Sequence, residues 1–191
     1  MENFIKKIND KLTELEQLSP KDWNILKTLD IGTIEIFEKT NGIKLPEDYK
    51  QFLMSIGNGI EQEIGNIGFF GIKFNNAYQY YYEIEGERLE IDLRKPFKAL
   101  DKYNIEYNGD VDDYIKALED DENIAGGYVY LVMDGGINCI LIINGECSGE
   151  IWIEELIYYN GFYPLLSEDN KRITFSEWYI KRLEEEIEIV K

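Results

Sequence analysis

The sequence predicts an α+β fold: N-terminal helices, a central mainly antiparallel β-sheet, and a C-terminal helix packed on that sheet. Three observations carry the expectation. Leu45, Tyr49, Phe52, Leu53 and Ile56 recur at helical spacing within residues 42–59, GIKLPEDYKQFLMSIGNG, and so form one apolar stripe. Residues 128–133, 139–143 and 150–154 are β-prone runs separated by Asp134-Gly135-Gly136 and Asn144-Gly145, turn chemistry that joins antiparallel neighbours. Thr174 and Glu177 have capping-box spacing ahead of the stripe Phe175, Trp178, Tyr179, Leu183 and Ile187. Helices, then strands, then a helix is the order of an α+β domain.

Taken in order, Phe4, Ile5, Ile8, Leu12 and Leu15 give a helical stripe over about residues 2–18. Ser19-Pro20 then reads as N-cap and first position of a short second helix carrying Trp23, Ile25 and Leu26. Gly32 interrupts, and Thr33 caps a third helix with Ile34, Phe37 and Glu38, closed by Asn41-Gly42. In the helix that follows, Pro46 suits the first position, and Glu47 and Asp48 place negative charge where the dipole favours it. Gly57 is expected to end it in the left-handed conformation, with Asn58-Gly59 as a turn.

Beyond residue 59 the pattern changes to strands. Ile67 to Ile72 is a short apolar run between glycines, and residues 88–93, RLEIDL, alternate as a strand does. Pro96 breaks the pattern, and Asp110 after the Asn108-Gly109 turn heads a short helix with Tyr114, Ile115 and Leu118 inward. The runs at 128–133 and 139–143 are apolar on both faces, so both are expected to be central and covered by helices. The third run alternates: Ile151 and Ile153 lie on one face, and Glu150, Trp152 and Glu154 on the other. That pattern suggests a half-exposed Trp152 at the sheet edge. In the last helix Glu184, Glu185 and Glu186 are expected to be solvated. No repeat or low-complexity linker divides the chain, which reads as one domain over 1–191.

Composition narrows the chemistry. The 191 residues are 44% hydrophobic and 14% aromatic, enough for a sizeable core. There are 38 Asp and Glu against 20 Lys and Arg, a formal charge of −18. Such a charge disfavours nucleic acid and anionic membrane and attracts basic partners over a Debye length of ~8 Å; it also simply keeps a protein soluble. No histidine occurs, which removes Ser-His-Asp and Cys-His nucleophile activation. Two cysteines, Cys139 and Cys147, are too few for a disulfide framework and lie at no zinc-ligand spacing. The charged N-terminus lacks an apolar signal core, and no apolar run approaches the ~20 residues of a membrane span. A cytoplasmic protein, monomeric or weakly dimeric, is the expectation.

Candidate chemical sites are weak. Asp110, Asp112 and Asp113 invite a calcium reading, but the EF-hand loop needs glycine at its sixth position, where Ile115 stands. Glu150, Glu154 and Glu155 could supply a carboxylate pair, and a solvated sheet face explains them as well. Gly65, Gly68 and Gly71 lack the lysine and helix start of a phosphate loop. Cys147 sits in a turn between Glu146 and Glu150, which disfavour a thiolate. The tyrosine cluster at 78–82 reads either as a contact surface or as core. No metal, cofactor or catalytic set is predicted. The residues singled out for partner contact are Tyr80, Tyr82, Asp110, Asp112, Asp113, Glu150, Trp152 and Glu154.

The order of these features resembles a known family. Ile34-Glu35-Ile36-Phe37-Glu38, then Asn41-Gly42-Ile43-Lys44-Leu45-Pro46-Glu47-Asp48-Tyr49-Lys50-Gln51-Phe52-Leu53, then Ile56-Gly57-Asn58-Gly59, is similar to the start of the SUKH superfamily. These are bacterial immunity proteins related to a fungal cell-wall-assembly regulator. Later marks follow in order: the turn and strand at 134–143, Gly149-Glu150-Ile151-Trp152, and Phe175-Ser176-Glu177-Trp178. The resemblance spans about residues 20–185. It implies an α+β domain that binds and neutralises a polymorphic toxin, often a nuclease, without catalysis. An acidic inhibitor suits a basic nuclease domain, which must hold phosphates. A regulatory or scaffold module that binds another protein, and a carboxylate enzyme, are the alternatives. Residues 1–19, as an extra helix, and 73–125, as a Tyr-rich, acidic insertion-like stretch, depart from the family. Leu45, Phe52, Trp152 and Trp178 read as core residues.

Overall fold

A computed structural model describes residues 2–19, 23–62, 67–72, 81–84, 87–98, 126–158 and 160–191. The chain runs α1 (Glu2–Leu18), β1 (Trp23–Ile25), α2 (Ile31–Asn41), α3 (Glu47–Ser55), β2 (Gly59–Gln62) and β3 (Phe69–Phe70). It continues through β4 (Tyr81–Ile84), β5 (Glu87–Glu90), β6 (Tyr128–Asp134), β7 (Ile137–Ile142), β8 (Ile151–Glu155), a 3-10 turn (Leu156–Tyr158), β9 (Gly161–Pro164) and α4 (Phe175–Val190). Every named strand pair is antiparallel, in sheets ordered β1-β2-β3, β4-β5 and β6-β7-β8-β9. The fold class is α+β, as predicted.

The first helix forms where its stripe places it, with Ile8, Leu12 and Leu15 buried. It packs along α4, and Lys11 Nζ meets Glu184 Oε1 at 2.9 Å. The segment after it is not the expected second helix. Trp23, Asn24 and Ile25 pair with Gln62, Glu61 and Ile60 as strand β1. A Ser-Pro pair is a local signal for a helix start; the ladder offered by β2 is a tertiary one, and it wins over a three-residue segment containing tryptophan and isoleucine.

Asp30, not Thr33, caps α2: its carboxylate accepts from Thr33 N–H at 2.8 Å and Thr33 Oγ1 at 3.0 Å. Gly32 therefore lies inside the first turn and does not interrupt the helix. At the other end Gly42 takes φ +64 and its N–H donates to Glu38 and Lys39 carbonyls, as a glycine cap should. Glu38, buried on α2, accepts from Leu45 N–H at 3.0 Å and from Lys44 Nζ at 3.0 Å. That carboxylate ties α2 to the entry of α3, where Pro46 stands at the N-cap, one position ahead of expectation.

Gly57 does not end α3 in a left-handed turn. The structure gives it no positive φ; instead a Cβ there would run into Leu26 O and Ile25 Cγ2. The glycine lets α3's end pass against the β1 segment, where Asn58 N–H donates to Leu26 O at 3.2 Å and Leu26 N–H to Gly59 O at 3.1 Å. Asn58 and Gly59 are then not merely a turn, since β2 begins at Gly59 with φ +95. The strand expected over 88–93 is shorter: β5 stops at Glu90, and Asp92 folds back to hold Arg94 in a salt bridge at 2.9 Å.

The sheet β6–β9 holds the three predicted runs and adds β9, which was not predicted. Gly135-Gly136 forms the two-residue turn of the β6–β7 hairpin, both glycines at positive φ. β6 ends its ladder and is not central, yet Tyr128 to Leu131 are buried; β3 packs against β6 and Phe97 lies on Tyr128. Two aromatic clusters make the core. Tyr49, Phe52, Phe69, Phe175, Trp178 and Tyr179 join α3, β3 and α4, while Phe97 packs on Tyr128, Trp152 and Phe162 of the β6–β9 sheet. The capping box of α4 is present as predicted. Glu186, expected in solvent, is buried.

Candidate functional site

Of the partner-contact residues read from the sequence, the three whose side chains are described, Glu150, Trp152 and Glu154, do not present one exposed acidic surface. Tyr80, Asp110, Asp112 and Asp113 lie outside the described residues. Tyr82 sits in the β4–β5 hairpin, opposite Leu89. The remaining three are on β8, or next to it, and the structure turns them inward.

Trp152 is 0% exposed, not half-exposed. Its face of β8 is covered by Phe97, whose ring centroid is 5.2 Å away, and its ring carries the Arg172 guanidinium at 5.4 Å. Indole Nε1 donates to Glu150 Oε2 at 3.1 Å, and Arg172 Nη1 donates to the same oxygen at 3.4 Å and to Cys147 Sγ at 3.0 Å. Glu150 is thus spent on an internal staple between β8 and the approach to α4. Burial pushes the Cys147 thiol up to about 11, and Glu150 adds to this against the opposing pull of Arg172; Cys147 is no nucleophile at neutral pH.

Glu154 is 1% exposed. Its Oε2 accepts from Asn138 Nδ2 at 2.7 Å and Tyr130 O–H at 3.0 Å, and its Oε1 from Leu156 N–H at 2.6 Å. Burial holds its carboxyl above the usual carboxylate range, although these three bonds oppose the shift and only Glu155 assists it. Among the described residues Glu150 and Glu154 share no hydrogen-bond partner. Glu155 is engaged separately by Tyr163 O–H at 2.6 Å and Asn160 Nδ2 at 2.8 Å.

What the structure does assemble lies at the tip of the β6–β7 hairpin. Met133, Ile137, Ile157 and Tyr158 are all exposed. The 3-10 turn brings the last two against the hairpin: Tyr158 O–H donates to Gly135 O at 2.7 Å, and Ile157 packs beside Gly136. Within this apolar rim opens a hollow of about 240 Å³ lined by Tyr130, Asn138 and Glu154. A second groove, of about 450 Å³, runs on the other side of Met133 and Asp134, between β6 and the paired strands β2 and β3. Arg182 of α4 lines it; its Nε is buried and makes no hydrogen bond among the described residues, and the guanidinium rests on Trp178 at 5.1 Å. Exposed apolar side chains between an acidic recess and a groove that holds Glu61, Asp134 and Arg182 make a surface suited to a protein. No sequence signal marked it, because Met133 reads as the end of a buried strand and Ile137 falls between the turn and the run at 139–143.

Among the described residues no group of three or more Cys, Asp and Glu could hold a metal ion, and no helix is long and apolar enough to cross a membrane. A sequence model of the SMI1 / KNR4 family (SUKH-1) matches residues 28–177. No curated protein matches the chain.

Proposed function

The chain belongs to the SMI1 / KNR4 family (SUKH-1), and from that premise we propose that it is a non-enzymatic, cytoplasmic immunity protein that binds and neutralises a cognate toxin. Membership supports an immunity-type, protein-binding role in general; the toxin, its nuclease activity and the contact surface are our reading. The observation that carries the surface is the cluster of exposed Met133, Ile137, Ile157 and Tyr158 around a recess. Apolar groups gathered at one hairpin tip of a chain with net charge −18 are costly to leave in water unless a partner covers them. The charge supports a basic partner by steering, and rim charges act mainly on association rate. A nuclease domain fits because it must carry positive charge to hold phosphates.

The test is binding to a toxin domain, sought first among the products of neighbouring genes, measured by calorimetry and by relief of toxicity. Ile137→Asp and Ile157→Asp are expected to abolish protection, whereas Ile36→Asp, at an exposed position on α2, leaves it intact. Protection that survives both tip substitutions would move the interface elsewhere. An affinity unchanged from low to high salt would remove the steering component. Capture of a cellular protein and indifference to the toxin would favour a regulatory module instead.

A further inference from the structure

We infer that the hollow beside Glu154 receives a basic side chain, arginine or lysine, projected by the protein partner. The inference rests on the protein-binding reading above and names what the partner must bring. Glu154 lies at a recess that opens to solvent, yet no lysine or arginine pairs with it among the described residues. Its Oε2 is used twice and its Oε1 once, so Oε1 keeps an acceptor position that no described residue fills. A buried carboxylate without a cation is the arrangement that gains most from one.

The surroundings select charge and shape together. Asp134 lines the same hollow and Glu155 acts on Glu154 electrostatically, so both neighbouring charges are negative. A Cβ at Gly135 would meet nothing within 4 Å, which leaves the mouth open on the hairpin side. Ile157 and Met133 flank the entrance and offer apolar surface to a methylene stem, the way long basic side chains bury their stems while placing their charge. Tyr130 and Asn138 both donate to Glu154 and hold the carboxylate in place, so a cation arrives at a preformed acceptor. An anionic side chain would meet like charge here, and a neutral one would leave the negative charge uncompensated.

The experiment uses the intact protein and small probes: N-acetyl-arginine amide, N-acetyl-lysine amide and the uncharged N-acetyl-norleucine amide, titrated under amide NMR. The cationic probes are expected to give saturable shifts at Gly135, Gly136, Asn138 and Leu156, with norleucine silent; the arginine and lysine arms decide which head group fits better. Glu154→Gln should weaken the cationic probes by roughly tenfold or more, the ratio of one charge-assisted hydrogen bond. Ile157→Trp, which narrows the mouth and leaves the bonds of Glu154 untouched, should weaken them too and covers the case in which the glutamine variant fails to fold. Equal shifts with norleucine, undiminished binding in both variants, or shifts confined to other acidic surfaces would overturn the inference. If the probes fail while Ile137→Asp still abolishes toxin binding, the surface stands and the basic anchor falls. If the probes bind and toxin binding ignores Ile137→Asp, the surface reading falls instead.

Discussion

Trp152 separates the two readings of this chain most sharply, because one places it at a contact edge and the other in the core. Trp152→Ala removes a side chain that is 0% exposed, leaves a cavity beside Phe97 at 5.2 Å, and deprives Glu150 and Arg172 of the ring they enclose. Large-to-small changes of this kind cost about 3–5 kcal/mol, of which the lost indole hydrogen bond is about 1. With a urea slope of about 2 kcal/mol per molar, the unfolding midpoint should fall by roughly 2 M. Far-UV circular dichroism follows the transition, and a variant with Trp152 as sole tryptophan, in a Trp23→Phe, Trp178→Phe background, gives an independent readout through acrylamide quenching. Weak quenching is expected in the folded state. A loss below about 1 kcal/mol, the range of surface substitutions, or quenching like that of a free indole, would return Trp152 to the surface and refute the packing argument.

Gly57→Ala tests the correction at the end of α3. If the residue were an ordinary helix-end position with negative φ, alanine would stabilise by about 0.4–1 kcal/mol; here the added Cβ meets Leu26 O, which is fixed by its bond from Asn58 N–H, so a loss of about 1–3 kcal/mol is expected from denaturant unfolding. Glu154 predicts a pH dependence. Burial raises its folded carboxyl above the ordinary glutamate value of 4.5, so the folded state holds this proton more tightly than the unfolded chain does. Its contribution is then fully present below about pH 4.5 and is lost as pH rises through the raised folded value. Tyr130 from β6, Asn138 from β7, and the charges of Asp134 and Glu155 face it, and Glu154→Gln should flatten the decline above pH 4.5 in parallel urea titrations. A wild-type minus variant difference that does not change with pH would refute the assignment.

Much of the fold was legible because its signals are local. The stripe at 45–56, the Gly-Gly turn at 135–136 and the Thr174–Glu177 box are settled within a few residues, and all three form. The failures share a cause of the opposite kind. Trp23 to Ile25 became a strand through β2, forty residues on. Gly57 is glycine because of Leu26 and not because of its own backbone. Asp30 outcompeted Thr33 for the α2 cap because its carboxylate reaches both Thr33 N–H and Thr33 Oγ1.

The site was less legible, and β8 shows why. Alternation tells which residues share a face, and it did so correctly: Trp152 and Glu154 are together. It cannot say which face is covered, and the two isoleucines made the other one the natural choice. The cover for the Trp152 face comes from Phe97, brought in by chain before β6, whose ring packs on both Trp152 and Phe162 of the neighbouring strand. Once that layer is in place, the meaning of the glutamates changes as well. Glu150 becomes half of a staple with Arg172, and Glu154 becomes a carboxylate kept dry by its neighbours yet bordering a recess. An acidic count of 38 could suggest a diffuse negative surface. Glu154 stands out from that count by its burial, by its three donors and by having no cation beside it among the described residues, and the proposed basic anchor rests on those features and not on net charge alone.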